Sequence, residues 1–556
     1  MRRIVGNVFL SVALFIAVIM SPARADETDD IETRYFEAVE QTLMDPTDQE
    51  KVAARAKAAR DFVVSLLPLS NDVKAADSKE GAYATALSVY EETWKNCFPA
   101  AQKDRSVAQS LTTMTRHIRI HTGYSSSSEI IFQRMERMES LAVAHPDDTQ
   151  ITIEMAWNAS KTLSRHLSDL AIYSHVFQLG DESAVQERID RRNRIDRIYR
   201  LVGVLASLNP EVARSLHLWQ GEIISWIIET YRDAFPTEEE MQYVVSLYQN
   251  LVAIERLYPD DDTFLCRRIA SAAELTAFFL GSRPSSVSGE HETPLRSALT
   301  AYAFSEFQTA LKRPAPDTTA ALRKRMRILR NSIQLFMGGN RDREGNRDMA
   351  EYAYEETKRI AALYTENEES IALLMSGTHS FIEELMRERS KKSGRSEKKD
   401  TKRAQEVLTE LLAIEARTPE QIESKEKYRV DSERLIAMAL LDEGYAAAAE
   451  SLFEKNNATN AYWEIGRMAS DMSEWFLKNG DLEKSKTYYR AFKDKASDGK
   501  LKKSAIAYRI ENLLQIHKEK KTLSEADYLI EDLRELAKSA PDEKAITGLL
   551  ELYTQN

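Results

Sequence analysis

Through most of this chain apolar residues recur three and four positions apart, the spacing that lays them along one side of an α-helix. The stretch after Pro236 shows it well. Thr237 and Glu240 form a capping box, and Met241, Val244, Tyr248, Leu251, Val252 and Ile254 follow on one side. Tyr258-Pro259 ends the run, because the residue before a proline avoids the helical conformation. The same reading predicts helices over 30–65, 129–145, 150–178, 184–208, 211–233, 262–281, 296–312, 317–337, 347–364 and 367–390.

Near the C-terminal end the pattern repeats itself 36 residues apart. Ile436, Ala437, Leu440, Gly444, Ala449 and Phe453 are echoed by Met472, Ser473, Phe476, Gly480, Ser485 and Tyr489. Each set reads large, small, large, glycine, small, aromatic. The physics is steric: small residues let two helices approach at their crossing, and glycine ends the first helix in a left-handed conformation that other residues resist. A poorer third echo runs through Leu513, Leu514, His517, Ala526 and Ile530, with Lys521 where the glycine belongs. Its small residue comes 41 positions after Ser485, so an insertion is absorbed near Ser497 to Lys503.

A fixed period of this length marks stacked helical hairpins, and these residues resemble the tetratricopeptide repeat family, clearest over 430–540. The terminal proline of that family is absent from the first two units. Upstream, Gly81, Ala86, Tyr90 and Pro99 repeat the second-helix half of the pattern. His145-Pro146-Asp147-Asp148 and Tyr258-Pro259-Asp260-Asp261 read as repeat boundaries. The resemblance implies an all-α, helical-hairpin α-solenoid whose grooves bind other proteins or peptides.

Three connections interrupt the helices: Ser282 to Pro294, Gly338 to Asn346, and the highly charged Lys391 to Lys402. Residues 387–403 carry nine bases and three acids, and are read as a basic linker. It separates an N-terminal helical-repeat array, 26–386, from a C-terminal tetratricopeptide-like domain, 404–556. A solvated linker explains the charge more simply than a docking site for an acidic partner.

Composition and charge narrow the picture further. The 18 glycines and 14 prolines are few for 556 residues, as a helical chain requires. Arg2 and Arg3 precede an apolar run from Val8 to Met20, and Ala23-Arg24-Ala25 supplies small residues before Asp26. Residues 1–25 therefore read as a cleavable signal peptide, with the protein periplasmic or secreted. Its removal takes three arginines and no acid, moving the formal net charge from −12 to −15. Such a surface repels nucleic acid, and no later segment has the length and apolarity of a membrane span. Cys97 and Cys266, 169 residues apart in an array of neighbours, are expected as two separately buried thiols.

The sequence assigns no catalytic, cofactor-binding or metal-binding residue. Phosphate-binding loop, nucleophile elbow, zinc-protease helix and paired-cysteine motifs are all lacking. Asn340, Asp342, Glu344, Gly345, Asn346, Asp348 and Glu351 have the spacing of an EF-hand loop, but Arg341, Arg343 and Arg347 dilute it, and a polar interhelical loop is the expectation. His117 and His121, four apart beside Arg116 and Arg119, are expected on an exposed basic face. Asp260-Asp261-Asp262 is expected to cap the helix that follows it. Trp219 and Trp226 read as core or groove lining. The function these features imply is an exported, non-enzymatic scaffold holding a protein or peptide partner. The alternative is a glycan-binding or glycan-degrading protein of the cell wall with a superhelical domain.

Overall fold

The structure is a computed structural model describing residues 22–67, 76–121, 128–159, 182–233, 238–281, 294–313, 319–337, 346–387, 389–390, 396–397, 400–457, 462–497, 502–541 and 543–554. The described residues build an all-α chain. Its helices are α1 (Pro22–Met44), α2 (Gln49–Leu66), α3 (Ala76–Ala101), α4 (Arg105–His121), α5 (Ser128–Ala144), α6 (149–159), α7 (Glu182–Leu208), α8 (Ala213–Asp233), α9 (Glu238–Leu257), α10 (Asp262–Gly281) and α11 (Pro294–Leu311). They continue as α12 (Thr319–Phe336), α13 (Arg347–Leu363), α14 (Glu368–Met386), α15 (Thr401–Ala413), α16 (Pro419–Asp442), α17 (Ala446–Asn457), α18 (Tyr462–Lys478), α19 (Leu482–Ser497), α20 (Lys503–Glu519), α21 (Asp527–Ser539) and α22 (Lys544–Thr554). Extended structure among the described residues is a two-residue pairing of Arg389–Ser390 with Ser396–Glu397. The predicted helix over 30–65 is in fact two, α1 and α2. Pro46 breaks it, and the Asp48 side chain caps the second piece by accepting from the amides of Glu50 and Lys51. No described helix is long and apolar enough to cross a membrane. The apolar run Val8–Met20 lies outside the described residues.

The helices group into two compact units, Met1–Ser271 with Ser282–His291, and Ala272–Gly281 with Glu292–Asn556. The expected division at 387–403 falls inside the second unit. There the Asp400 amide donates to the Leu385 carbonyl, Arg347 pairs with Asp400, and α15 packs on α14.

In the second unit the hairpins are α12/α13, α14/α15, α16/α17, α18/α19 and α20/α21. Each first helix (α12, α14, α16, α18, α20) also packs against the next first helix, and α22 closes the series against α20. The small residues of the echo lie at these crossings. Ala437 and Ala449 are fully buried, and the buried Ser473 hydroxyl lies 2.9 Å from the Ser485 carbonyl. The Tyr488 ring of α19 stacks on Phe476 of α18 in its own hairpin, with centroids 5.4 Å apart, and meets Phe453 of the preceding hairpin edge-on at 5.1 Å.

Turn chemistry repeats as well. Gly444 and Gly480 both have φ +88°, and Lys521 has φ +60°. In all three turns the residue after the left-handed one donates back to the helix: Tyr445 to Leu440, Asp481 to Phe476, Thr522 to His517. These are Schellman caps. The third echo thus keeps the backbone of the other two without their glycine. Its insertion near 497–503 lies largely outside the described residues.

A different corner leads from a second helix into the next first helix. His145-Pro146-Asp147-Asp148 and Tyr258-Pro259-Asp260-Asp261 are two examples in the first unit, and Asp45–Asp48 and Asn209–Val212 are two more. In each, the fourth residue's amide donates to the carbonyl of the first, and its own carbonyl accepts from the new helix. Tyr364–Asn367 forms the same corner in the second unit without proline.

Candidate functional site

Charged side chains line the first helices of the second unit and touch from one hairpin to the next. On α18, Glu464, Arg467, Asp471 and Glu474 follow at intervals of three, four and three, which places them on one side of the helix. All four are half-buried, while Ile465, Met468, Ala469 and Met472 between them are buried. The stripe continues onto α16 through Asp431 and Arg434 and onto α20 through Arg509 and Asn512.

Its contacts are continuous. Arg434 donates through Nε to Asp431 at 2.8 Å and through Nη1 to Asp471 at 2.7 Å. Arg509 reaches Asp471 at 3.3 Å and Glu474 at 3.2 Å, and Asn512 donates to the same Glu474 oxygen at 3.4 Å. Arg467 approaches Asp431 at 3.6 Å and is the more open cation. Burial works against the Asp431 carboxylate, but His379 and Arg434 outweigh it and hold the group far below the usual carboxylate range. Burial likewise works against the Arg434 guanidinium, and Asp431 and Asp471 overcome it, so its pKa is raised. Glu464 behaves oppositely: burial dominates and raises its carboxyl. Two large aromatics flank the stripe in the open, Trp463 at 47% and Tyr508 at 59% exposure. They stand four residues before Arg467 and Asn512, on the same side of their helices.

At its upstream end the stripe meets α14. His379 presents Nε2 to Asp431 Oδ2 at 3.4 Å and to Glu383 Oε1 at 3.8 Å. Its Nδ1 lies 3.1 Å from the buried Ser432 hydroxyl, and its ring stacks on Tyr428 with centroids 4.8 Å apart. The second helices carry a separate set of ties. Glu410 of α15 takes hydrogen bonds from Tyr354 and Lys358 of α13, and Asp532 of α21 takes them from Tyr489 and Lys493 of α19.

The residues singled out in the sequence lie elsewhere. Residues 340–345 of the EF-hand-like spacing are outside the described residues. Of the rest, the Asn346 side chain caps α13 by accepting from the Met349 amide, and Glu351 pairs with Arg403. His117 corrects an expectation: it is buried, with Nδ1 2.7 Å from the Leu67 carbonyl, because it shares the inner side of α4 with Met114 and Ile118. Arg116 is exposed. Asp261 caps α10 through the Thr263 amide at 2.9 Å and accepts from Arg214 at 2.7 Å. Trp219 and Trp226 are both half-buried. Cys97 and Cys266 are buried free thiols, and burial pushes Cys97 up to about 11. Of the basic segment, Arg387 pairs with Glu384, and Arg403 with Glu351 and Glu406.

Neither His379 nor the stripe carries a sequence signal that marks it as a site. The 3-4-3 spacing on α18 and the four-residue interval from His379 to Glu383 are visible in the sequence, but both look like ordinary solvated faces. Asp431, 52 residues after His379, is brought to it only by packing of α14 on α16.

No family model matches this chain, and no curated protein matches it. Among solved structures the chain is similar to SYS-1, at 11% identity and TM-score 0.28, covering 95% of this chain and 100% of that one. It is similar to SYS-1 in its complex with POP-1, at 10% identity and TM-score 0.25, covering 95% and 100%. A circular tandem repeat protein with novel repeat topology is similar at 11% identity and TM-score 0.19, covering 92% and 97%. Likenesses at these scores carry no argument about function, and the fold rests on the helix packing described above.

Proposed function

We propose that the chain is an exported, non-enzymatic scaffold of the cell envelope that holds a protein or peptide partner along the first helices of its second unit. The observation that carries this reading is the stripe Asp431–Arg434–Asp471–Arg509, bordered by Trp463 and Tyr508. Half-buried charges fixed by neighbours present hydrogen-bonding groups at little further ordering cost, and exposed Trp and Tyr are enriched at interfaces. The stripe carries both signs, which suits a partner of mixed charge. The tetratricopeptide resemblance points the same way, and the signal-like N-terminus supports export, with Asp26 as the first residue of the mature protein.

The test is site-specific photocrosslinking in intact cells. A crosslinker at Trp463 or Tyr508 is expected to capture one polypeptide, and one at Thr487 on α19 is not. Arg467→Glu is expected to reduce capture about tenfold, a loss of the size typical for an interfacial charge. Equal capture from all three positions overturns the stripe as the binding face. Hydrolysis of isolated cell-wall glycan by the purified protein overturns the non-enzymatic reading.

A further inference from the structure

The His379 corner has a geometry that a simple ion pair does not explain. A charge-assisted hydrogen bond from imidazolium to carboxylate closes to about 2.7–2.9 Å. Here Nε2 stands 3.4 Å from Asp431 and 3.8 Å from Glu383, although α14 and α16 hold the first two groups in a largely buried contact. Two donors bound tetrahedrally to one ion at about 2.0–2.1 Å lie about 3.3 Å apart. The His379–Asp431 separation is that edge length. All three donor atoms lie within 4.8 Å of one another, and Glu383, 40% exposed, is free to swing inward.

The surroundings are those of an oriented ligand set. Ser432 Oγ at Nδ1 and the Tyr428 ring fix the imidazole with Nε2 facing the carboxylates. Arg434 and Arg467 both engage Asp431 through Oδ1, which leaves Oδ2 directed at His379. Outer hydrogen bonds of this kind hold ligating side chains in place. The two arginines also oppose a cation, and Asp471 offsets one of them by pairing with Arg434 at 2.7 Å. One imidazole nitrogen with two carboxylate oxygens suits a zinc-class ion, whereas calcium and magnesium take larger all-oxygen shells.

We infer that His379, Glu383 and Asp431 form a binding site for one zinc-class divalent ion that braces α14 against α16, with water in the fourth position on the Glu383 side. The inference does not depend on the stripe holding a partner.

The test uses the full mature protein, stripped with chelator and titrated first with Co²⁺ and then with Zn²⁺. The expected result is one equivalent of Co²⁺ with the visible absorption of a tetrahedral ion, displaced by Zn²⁺. Amide exchange in α14 and α16 is expected to slow when Zn²⁺ binds. Glu383→Gln removes a half-exposed ligand without disturbing packing, and is expected to weaken binding at least about tenfold. Ser432→Ala, acting through the imidazole, is expected to cost about 10–100-fold. Absence of saturable Co²⁺ binding overturns the site. So does binding of unchanged strength in both Glu383→Gln and His379→Ala, which would place the ion among other carboxylates.

Discussion

The two kinds of interhelical turn in this molecule solve one problem with different chemistry. Within the last hairpins the chain reverses through a left-handed residue, at Gly444, Gly480 and Lys521, and in all three the reversal is closed by a backbone bond, with the Asp481 side chain adding a cap on the Lys484 amide at 3.0 Å. Between hairpins it turns through a four-residue corner, and in the first unit three of the four corners described, those ending in Asp48, Asp148 and Asp261, are also held by a side-chain cap. Asp148 and Asp261 each cap the new helix and accept from an arginine near the start of the preceding first helix, Arg105 and Arg214, both at 2.7 Å. The glycine turn thus requires a left-handed φ, whereas the Asp148 and Asp261 corners draw on a carboxylate. The carboxylate does two tasks: it satisfies orphan amides at a helix N-terminus, and it ties one first helix to the next.

That difference predicts unequal sensitivity. The largest loss is expected at the corners. Asp148→Ala removes a cap worth about 1 kcal/mol and takes the acceptor from Gln109 and from Arg105 Nε, Arg105 keeping Asp147 at 3.2 Å, so about 2 kcal/mol of local stability is expected to go. Hydrogen exchange of α6 reads it directly, and exchange in α18 serves as the control. An unchanged α6 would remove the corner's claim to hold the first helices together. Next in size is Gly480→Ala. A Cβ at Gly480 meets nothing within 4 Å, so the cost is conformational alone, about 1–2 kcal/mol, seen as faster exchange in α18 and α19. A loss as large as that of Asp148→Ala would erase the distinction between the two turns.

The same contrast explains what was legible in the sequence. Glycine turns announce themselves, since a left-handed position selects one residue type and the 36-residue echo keeps it in register. Corners are less selective: Asp48, Asp148 and Asp261 end three of them after a proline, but Val212 ends another and Asn367 ends one that has no proline. In the first unit their spacing also varies, from 49 residues between Asn209 and Tyr258 to 100 between Asp45 and His145. Two corners were nonetheless readable as boundaries, and the all-α class followed from helical spacing that α9 reproduces: Met241, Val244, Tyr248, Leu251, Val252 and Ile254 are all buried. Helical spacing of apolar residues continues across Asp45-Pro46, so that spacing does not show the break between α1 and α2. The candidate site was the least legible part. Its charges belong to four helices, and sequence spacing reports faces on one helix at a time.

Lys521 sharpens the comparison from the other side. It is the one described non-glycine residue with positive φ, yet its turn matches those at Gly444 and Gly480. Lys521→Gly is therefore expected to stabilise α20 and α21 by roughly 1 kcal/mol, read as slower exchange there. Destabilisation would mean that the lysine side chain, not the backbone, sets this turn.

The smallest effect belongs to His517, which occupies the place of Leu440 and Phe476 in the echo. Its ring is buried, with Nδ1 3.1 Å from the Thr522 carbonyl and 3.0 Å from the Thr522 hydroxyl. Burial lowers its pKa, with Lys486 adding to that and the Thr522 bond and Glu525 opposing it. The folded hairpin thus holds a neutral imidazole, whereas the unfolded chain protonates near pH 6.5. Below that pH the unfolded state binds the extra proton, so stability falls as pH drops through about 6.5 and levels once the folded pKa is passed. Leucine or phenylalanine at this position carries no such proton. His517→Leu is accordingly expected to flatten the pH dependence of α20–α21 exchange between about pH 7 and 5, corrected for intrinsic rates, while the α18–α19 hairpin keeps its own slope. Equal slopes for the variant and the parent would show that the acid response of this last hairpin comes from its carboxylates instead.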